Sequence, residues 1–444
     1  MPLTRRTVLG LGAATAAAAA AGCGRPDPVW RGAAATAPSA SPPGGSPAPS
    51  APPSVGPSPS PGLTGYPARL QDLLERYLSP TPENPKHPGY AGAVALISVR
   101  GRVTAHVAVG HALRYAAGPV ELPPAKRVAM RPDSIFDLAS VTKVYTAILV
   151  LQQVDRGRID LAAPVVEYLP AFDGPGKAAV TISMLLAHTG GLPVGAKVSG
   201  LSTPAERRAA VLATPLSSGA VPGTVFRYSS VGLMVLAQLV EQLTGQPLDQ
   251  AVRSGITGPL GLRDTGFTPL HWLSPSAASA RLAATDARSS RGLLRGVVHD
   301  DVANALGGVA GHAGLFASAA DVAVIGQLLL GGGTYQGKRL LAEATVRRML
   351  TNVNPGLPAV DPERPNRTAT HGLGVELNQP FFMGRLASAR TFGHTGFTGT
   401  SLLVAPDRGL VLVLLTNRAH PNWTWANPDQ HRVAVANLLA GAFG

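Results

Sequence analysis

The sequence predicts an α+β fold: one antiparallel sheet flanked by helices, built from both ends of the folded chain, with a mostly helical lobe inserted between them. Three observations lead to it. β-rich segments at residues 91–99 and 103–110 are joined by Arg100-Gly101-Arg102, which reads as a hairpin. β-rich segments return at 390–393, 400–404 and 410–416, the last two joined by a turn at Pro406-Asp407-Arg408-Gly409. Between them, from about 134 to 294, the chain reads as helices separated by Gly/Pro loops, and no internal repeat is visible.

Taken in order, residues 1–22 read as an address rather than as fold. Arg5-Arg6 and the alanine-rich run to Ala21 have the form of a twin-arginine export signal. The run ends at Ala20-Ala21-Gly22 before Cys23, which is similar to a bacterial lipoprotein signal in which Cys23 becomes the lipidated first residue. Plain secretion, with cleavage after the small-x-small triplet Ala19-Ala20-Ala21, is the alternative. The outer face of the cell membrane is the expected location. Residues 23–63 are rich in Pro, Ser and Ala and hold too little apolar surface to fold. Extended, such a tether spans roughly 120 Å at ~3.1 Å per residue. The folded domain is expected over 64–444. It opens with an amphipathic helix carrying Leu70, Leu73, Leu74, Tyr77 and Leu78. An apolar helix over 141–154 and a final helix over about 430–439 follow.

The chain is basic, with 38 Lys+Arg against 25 Asp+Glu. The cations are scattered singly or in pairs such as Arg207-Arg208, and aromatics are only 5% of residues. Nucleic-acid binding, which needs clustered cations interleaved with stacking rings, is therefore not expected. The excess suits an anionic envelope. A single cysteine excludes an intrachain disulfide and a thiolate metal cluster. After the signal, no stretch reaches the about 18 uninterrupted apolar residues of a membrane span.

Ser140-Val141-Thr142-Lys143 is the sole Ser-x-x-Lys of the chain and stands where Asp137-Leu138-Ala139 meets the apolar helix. Residues i and i+3 share a helix face, so the Lys143 amine can reach the Ser140 hydroxyl. A serine needs a nearby base to act as a nucleophile, and a buried lysine can supply one. Free N–H groups at a helix start favour developing negative charge. Many surface helices carry the same pattern, so the rest of the chain must decide. Tyr228-Ser229-Ser230 and then His394-Thr395-Gly396 follow in order.

This ordered set resembles the three boxes of class C β-lactamases, low-molecular-weight penicillin-binding proteins and related esterases: Ser-x-x-Lys, Tyr-x-Asn, and Lys-Thr-Gly or His-Thr-Gly. Residues 185–193, Leu-Leu-Ala-His-Thr-Gly-Gly-Leu-Pro, and 307–316, Gly-Gly-Val-Ala-Gly-His-Ala-Gly-Leu-Phe, match as well, and the likeness runs from about Tyr66 to the end. It implies a β-lactamase/transpeptidase-like fold and no cofactor. It implies Ser140 as the acylated nucleophile, Lys143 and Tyr228 sharing the proton work, and the backbone N–H groups of Ser140 and Phe397 as oxyanion hole. Ser230, His394, Thr395 and Gly396 would bind substrate. Gly-x-Ser-x-Gly and His-Glu-x-x-His are both missing from the sequence.

Two positions depart from the pattern. Ser230 replaces the asparagine of the second box. His394 replaces a lysine, so a permanent cation for a substrate carboxylate gives way to an imidazole expected to titrate near pH ~6.5. The second His-Thr-Gly, at His188, reads as a helix-ending structural loop. The cluster His299-Asp300-Asp301, Asn304 and His312 fits no metal motif. It reads either as a substrate-facing loop, with His312 toward the cleft, or as turn and cap hydrogen bonding. That stretch resembles a muropeptide-processing branch of the family. The expected activity is therefore a D,D-carboxypeptidase or muropeptide amidase acting as a monomer on cell-wall peptides. A promiscuous esterase or weak β-lactamase is the alternative, and a non-catalytic penicillin-binding-like protein a second.

Overall fold

The computed structural model describes residues 65–442 except 362, 363, 365 and 366. The export signal, Cys23 and the Pro/Ser/Ala-rich tether lie outside the described residues. Tyr66, Leu70 and Leu74 recur every fourth residue and are buried. Tyr66–Arg76 accordingly folds as an amphipathic helix, packed on the strand Arg102–Leu113 and on the last helix, Pro428–Ala442. Tyr77 and Leu78, expected inside the first helix, lie just past its end.

Seven strands form the main sheet in the order Glu376–Leu377, Phe392–Thr395, Ser401–Ala405, Leu410–Thr416, Gly92–Val99, Arg102–Leu113 and Val128–Ala129. Every neighbouring pair is antiparallel. Arg100 (φ 50°) and Gly101 (φ 80°) turn the first hairpin with two left-handed residues. That geometry follows the twist of the strands. Alternate side chains of the central strands enter two different cores. Ala93, Ala95, Ile97, Leu412 and Leu414 face the first and last helices. Val94, Leu96, Val411, Val413 and Leu415 face the inserted lobe. With both faces covered, 410–416 reads as an unbroken apolar run rather than an alternation.

The inserted region is less purely helical than its sequence suggests. Its long helices are Thr142–Asp155 and Ser230–Thr244. A second antiparallel sheet, Ile135–Asp137, Leu315–Ser318 and Thr265–Phe267, stands beside them with Leu315–Ser318 in the middle. A hairpin, Ala284–Ser289 with Gly292–Arg295, follows. Strands of three or four residues are too short for alternation to register in a sequence. This small sheet places Asp137 just ahead of Ser140 and brings the segment after His312 alongside. Among the described residues no helix is long and apolar enough to cross a membrane.

Candidate active site

The nucleophile candidate is held by its lead-in. Ser140 occupies a single 3-10 turn, Ala139–Val141, and the α-helix starts only at Thr142. Ala139 takes a left-handed φ of 46°, a conformation that costs an L-residue about 1–3 kcal/mol. The fully buried Asp137 offsets this: Oδ1 accepts the Ala139 N–H (2.9 Å) and Oδ2 the His299 N–H (2.7 Å). Burial pushes the Asp137 carboxyl up, against these two bonds and the nearby His299.

Lys143 is 0% exposed, and its Nζ donates to Ser140 Oγ (2.8 Å) and to the His312 carbonyl (3.0 Å). The Lys143 Nζ also lies 5.0 Å from the centre of the Tyr228 ring. The loop carrying Tyr228 is clamped on both sides. The Arg227 N–H donates to the His188 carbonyl (2.9 Å), the Ser229 N–H to His188 Nδ1 (3.2 Å) and the Ser230 N–H to the Val194 carbonyl (2.9 Å). The His188 and Tyr228 rings are 4.6 Å apart, and the Arg367 guanidinium lies 5.1 Å from the Tyr228 ring centre. Arg367 is itself fixed by buried ion pairs to Asp361 (3.0 Å) and Glu376.

The third box ends the strand Phe392–Thr395, two residues further along than the 390–393 expected. Only glycine fits at 396, because a Cβ there would stand 2.4 Å from the Leu138 carbonyl oxygen. The turn after it is sewn to the nucleophile segment: Thr398 Oγ1 donates to the Asp137 carbonyl (2.7 Å) and Thr400 Oγ1 to the Leu138 carbonyl (2.9 Å). From behind, buried Arg432 of the last helix donates to the carbonyls of Gly396 (2.7 Å) and Thr400 (2.8 Å). Among the described residues, neither the Ser140 nor the Phe397 backbone N–H has a protein acceptor. Two free donors on these stitched turns are what an oxyanion hole requires.

The structure thus brings together Ser140, Lys143, Tyr228 and the 394–397 turn, and it corrects two expectations. His394 is only 1% exposed, with Nδ1 on the Thr395 carbonyl (2.8 Å). Burial, then the charges of Lys143, Arg367 and Arg432, push its imidazole down to about 3, so it is neutral where a titrating cation was expected. His312 is 1% exposed, where a substrate-facing side chain was one of the two readings, the other being turn and cap hydrogen bonding. Its Nε2 meets Asp300 (3.0 Å) while its carbonyl takes the Lys143 bond, so it positions the lysine. His188, read as a helix-ending structural loop, follows the helix Ile182–Leu186 and supports the loop of Tyr228. Ser230 opens the helix Ser230–Thr244, and the cap is made by Ser229, whose Oγ accepts the Gly232 N–H. Asp137, Arg367 and Arg432 were missed. A lone charge in an apolar stretch, as in Ile135-Phe136-Asp137-Leu138, was the available signal.

These buried imidazoles make stability depend on acid. His371, His394 and His420 are each pushed down to about 3, first by burial. Unfolded, each takes up its proton near the ordinary ~6.5. Between those values the unfolded chain binds more protons, so stability falls as pH drops from about 6.5 and is level above it. Each group contributes a slope of up to ~1.4 kcal/mol per pH unit. Thermal melting from pH 8 to 4 should show a plateau and then a steep decline below pH ~6. A midpoint unchanged down to pH 4.5 would contradict this burial.

With this geometry the chain is similar to known proteins over most of its length. A protein named "Putative D-alanyl-D-alanine carboxypeptidase" from Escherichia coli (strain K12) is 32% identical over 394 residues, 81% of this chain and 85% of that protein. A penicillin-binding protein homolog from Caulobacter crescentus has a TM-score of 0.57 at 21% identity, covering 85% of this chain and 98% of that one. EstCE1, a hydrolase with promiscuous acyltransferase activity, has a TM-score of 0.60 at 22% identity, covering 86% and 99%. Those two show the fold, which is of the β-lactamase/transpeptidase type. The family model described as Beta-lactamase matches residues 70–437, from the first helix to the last and across all three boxes. By that match the chain belongs to the beta-lactamase family, whose members are hydrolases of serine type.

Proposed function

We propose that the chain is an exported acyl-enzyme hydrolase of peptidoglycan-derived peptides, a D,D-carboxypeptidase or muropeptide amidase. The observation that carries the chemistry is the 2.8 Å contact between Lys143 Nζ and Ser140 Oγ, with the centre of the Tyr228 ring 5.0 Å from the same amine. Ser140 Oγ attacks the carbonyl as its proton passes to the Lys143–Tyr228 pair, and the N–H groups of Ser140 and Phe397 take the developing oxyanion. The same pair returns the proton to the departing amine. Water then attacks the ester and frees Ser140. The relatives' name supports the substrate side of this reading. The neutral His394 supports a promiscuous esterase as a second reading, because the third box then holds no cation for an acid substrate.

One experiment tests substrate and location together: release of D-alanine from a muramyl pentapeptide, measured in membrane and soluble fractions. Wild type should release it in the membrane fraction, and Cys23→Ser should move that activity to the soluble fraction. Hydrolysis of simple esters with no release from peptide would leave the esterase as the better description. Membrane activity retained by Cys23→Ser would refute lipid anchoring at that residue.

A further inference from the structure

A cavity of about 570 Å³ opens in the inserted region and contains no residue of the three boxes. Its wall includes Thr265–Phe267, the outer strand of the second sheet and the one furthest from the strand that leads to Ser140. That volume lies in the range of small-molecule sites. The lining has an apolar part and a cationic part. Phe267 and Trp272 bring rings, and the Trp272 Nε1–H is engaged by the Phe267 carbonyl (2.8 Å), which leaves the indole face as apolar wall. Arg253 and Arg263 bring guanidiniums. Both are exposed and, among the described residues, both lack an ion pair or side-chain hydrogen bond. Nearby acids are engaged elsewhere: Asp264 pairs with Arg281 (2.5 Å), and Asp321 accepts the Thr265 hydroxyl (2.9 Å) and the Asp264 N–H (2.9 Å). Asp249 is the one acid of the lining, so two guanidiniums outweigh a single carboxylate.

The backbone of this wall is unusual as well. Arg253–Thr257 is a π-helical turn, a widening found frequently at functional sites. Its local cause is Pro259, which has no N–H for the Gly255 carbonyl; that carbonyl accepts Gln152 Nε2 instead (2.8 Å). The turn carries Arg253 at one end and Thr257 at the other. Thr257 is only 5% exposed, yet it lines the cavity and its hydroxyl has no protein partner among the described residues. A hydroxyl so placed is available to an oxygen of a ligand.

We propose that this cavity is a second binding site, for a small molecule that joins an oxyanion, carboxylate or phosphate, to a flat apolar body. Arg253 and Arg263 hold the oxyanion, the Thr257 hydroxyl donates to it, and the body lies against Trp272 and Phe267. Guanidinium edges bind either oxyanion through paired N–H bonds. Ser140 takes no part, so the site stands apart from any reading of the hydrolase substrate.

The probes are 2-naphthoate, 2-naphthyl phosphate and neutral 2-naphthamide, with dissociation constants measured by calorimetry on the whole chain. At least one anion should bind about tenfold tighter than the amide, and the tighter of the two distinguishes carboxylate from phosphate. Arg253→Ala and Arg263→Ala should each cut that ratio about threefold, and the double substitution should bring it close to one. The amide's affinity and the thermal midpoint should stay unchanged, because both arginines are on the surface. Equal affinity for the anions and the amide, or no binding of any probe, would overturn the proposal. So would an anion preference that survives the double substitution, because the anion then sits elsewhere on this basic chain.

Discussion

Ser140→Ala is expected to abolish covalent labelling by a fluorophosphonate while the protein stays folded. The substitution removes one half-buried hydroxyl and no packing. Lys143 keeps its bond to the His312 carbonyl, so the buried amine retains a partner. Losing one of its two acceptors costs about 1–3 kcal/mol, which lowers the melting midpoint by a few degrees. Intact-mass analysis after incubation reads the result directly. Wild type gains the phosphonyl adduct and the variant does not. An adduct formed on Ser140→Ala at the wild-type rate would place the nucleophile elsewhere. No nearby hydroxyl replaces it easily, because Thr142 is buried with Oγ1 accepting the Leu315 N–H (3.2 Å).

Tyr228→Phe should slow acylation by about 10²–10⁴-fold, the usual range for a group that moves a proton in the transition state. Stability should hardly change, since the ring contacts to His188 and Arg367 survive the loss of the hydroxyl. The time course of labelling gives the rate, and thermal melting gives the control. Near-normal acylation would leave the proton work to Lys143 alone. His188 offers an internal comparison: it touches no reacting atom, and its part is to hold the Tyr228 loop through the Ser229 N–H.

The framework was legible where pattern is strong. Residues 410–416 form the strand their apolar run implies, and the helix expected over 141–154 is Thr142–Asp155. Ser140, Lys143 and Tyr228 stood out because the ordered set of three boxes resembles that of the family, and the structure brings these side chains together. What sequence did not show is what depends on depth. His394 was expected to titrate near neutrality because nothing in His-Thr-Gly reveals that it is buried near Lys143, Arg367 and Arg432. His312 was placed at the cleft for the same reason. Asp137 and Arg432 act on backbone atoms of segments remote in the chain, and Arg432 reaches Gly396 from the last helix. The contact between the Phe397 and Trp423 rings joins two loops that share no motif.

The central strand pairing has a consequence for biosynthesis. Gly92–Val99 pairs with Leu410–Thr416, and the Gly92 N–H bonds to the side chain of Asn417, 325 residues later (2.7 Å). During translation the early hairpin therefore emerges with one apolar edge uncovered, and it stays so until nearly all of the chain has been made. Arg432, which secures the Gly396–Thr400 turn, arrives later still, so a polypeptide truncated before the final helix would carry that turn without the side chain that holds it. Contacts so distant in sequence also slow folding. Until the strand Leu410–Thr416 arrives, the uncovered edge of the early hairpin is open to pairing with other chains.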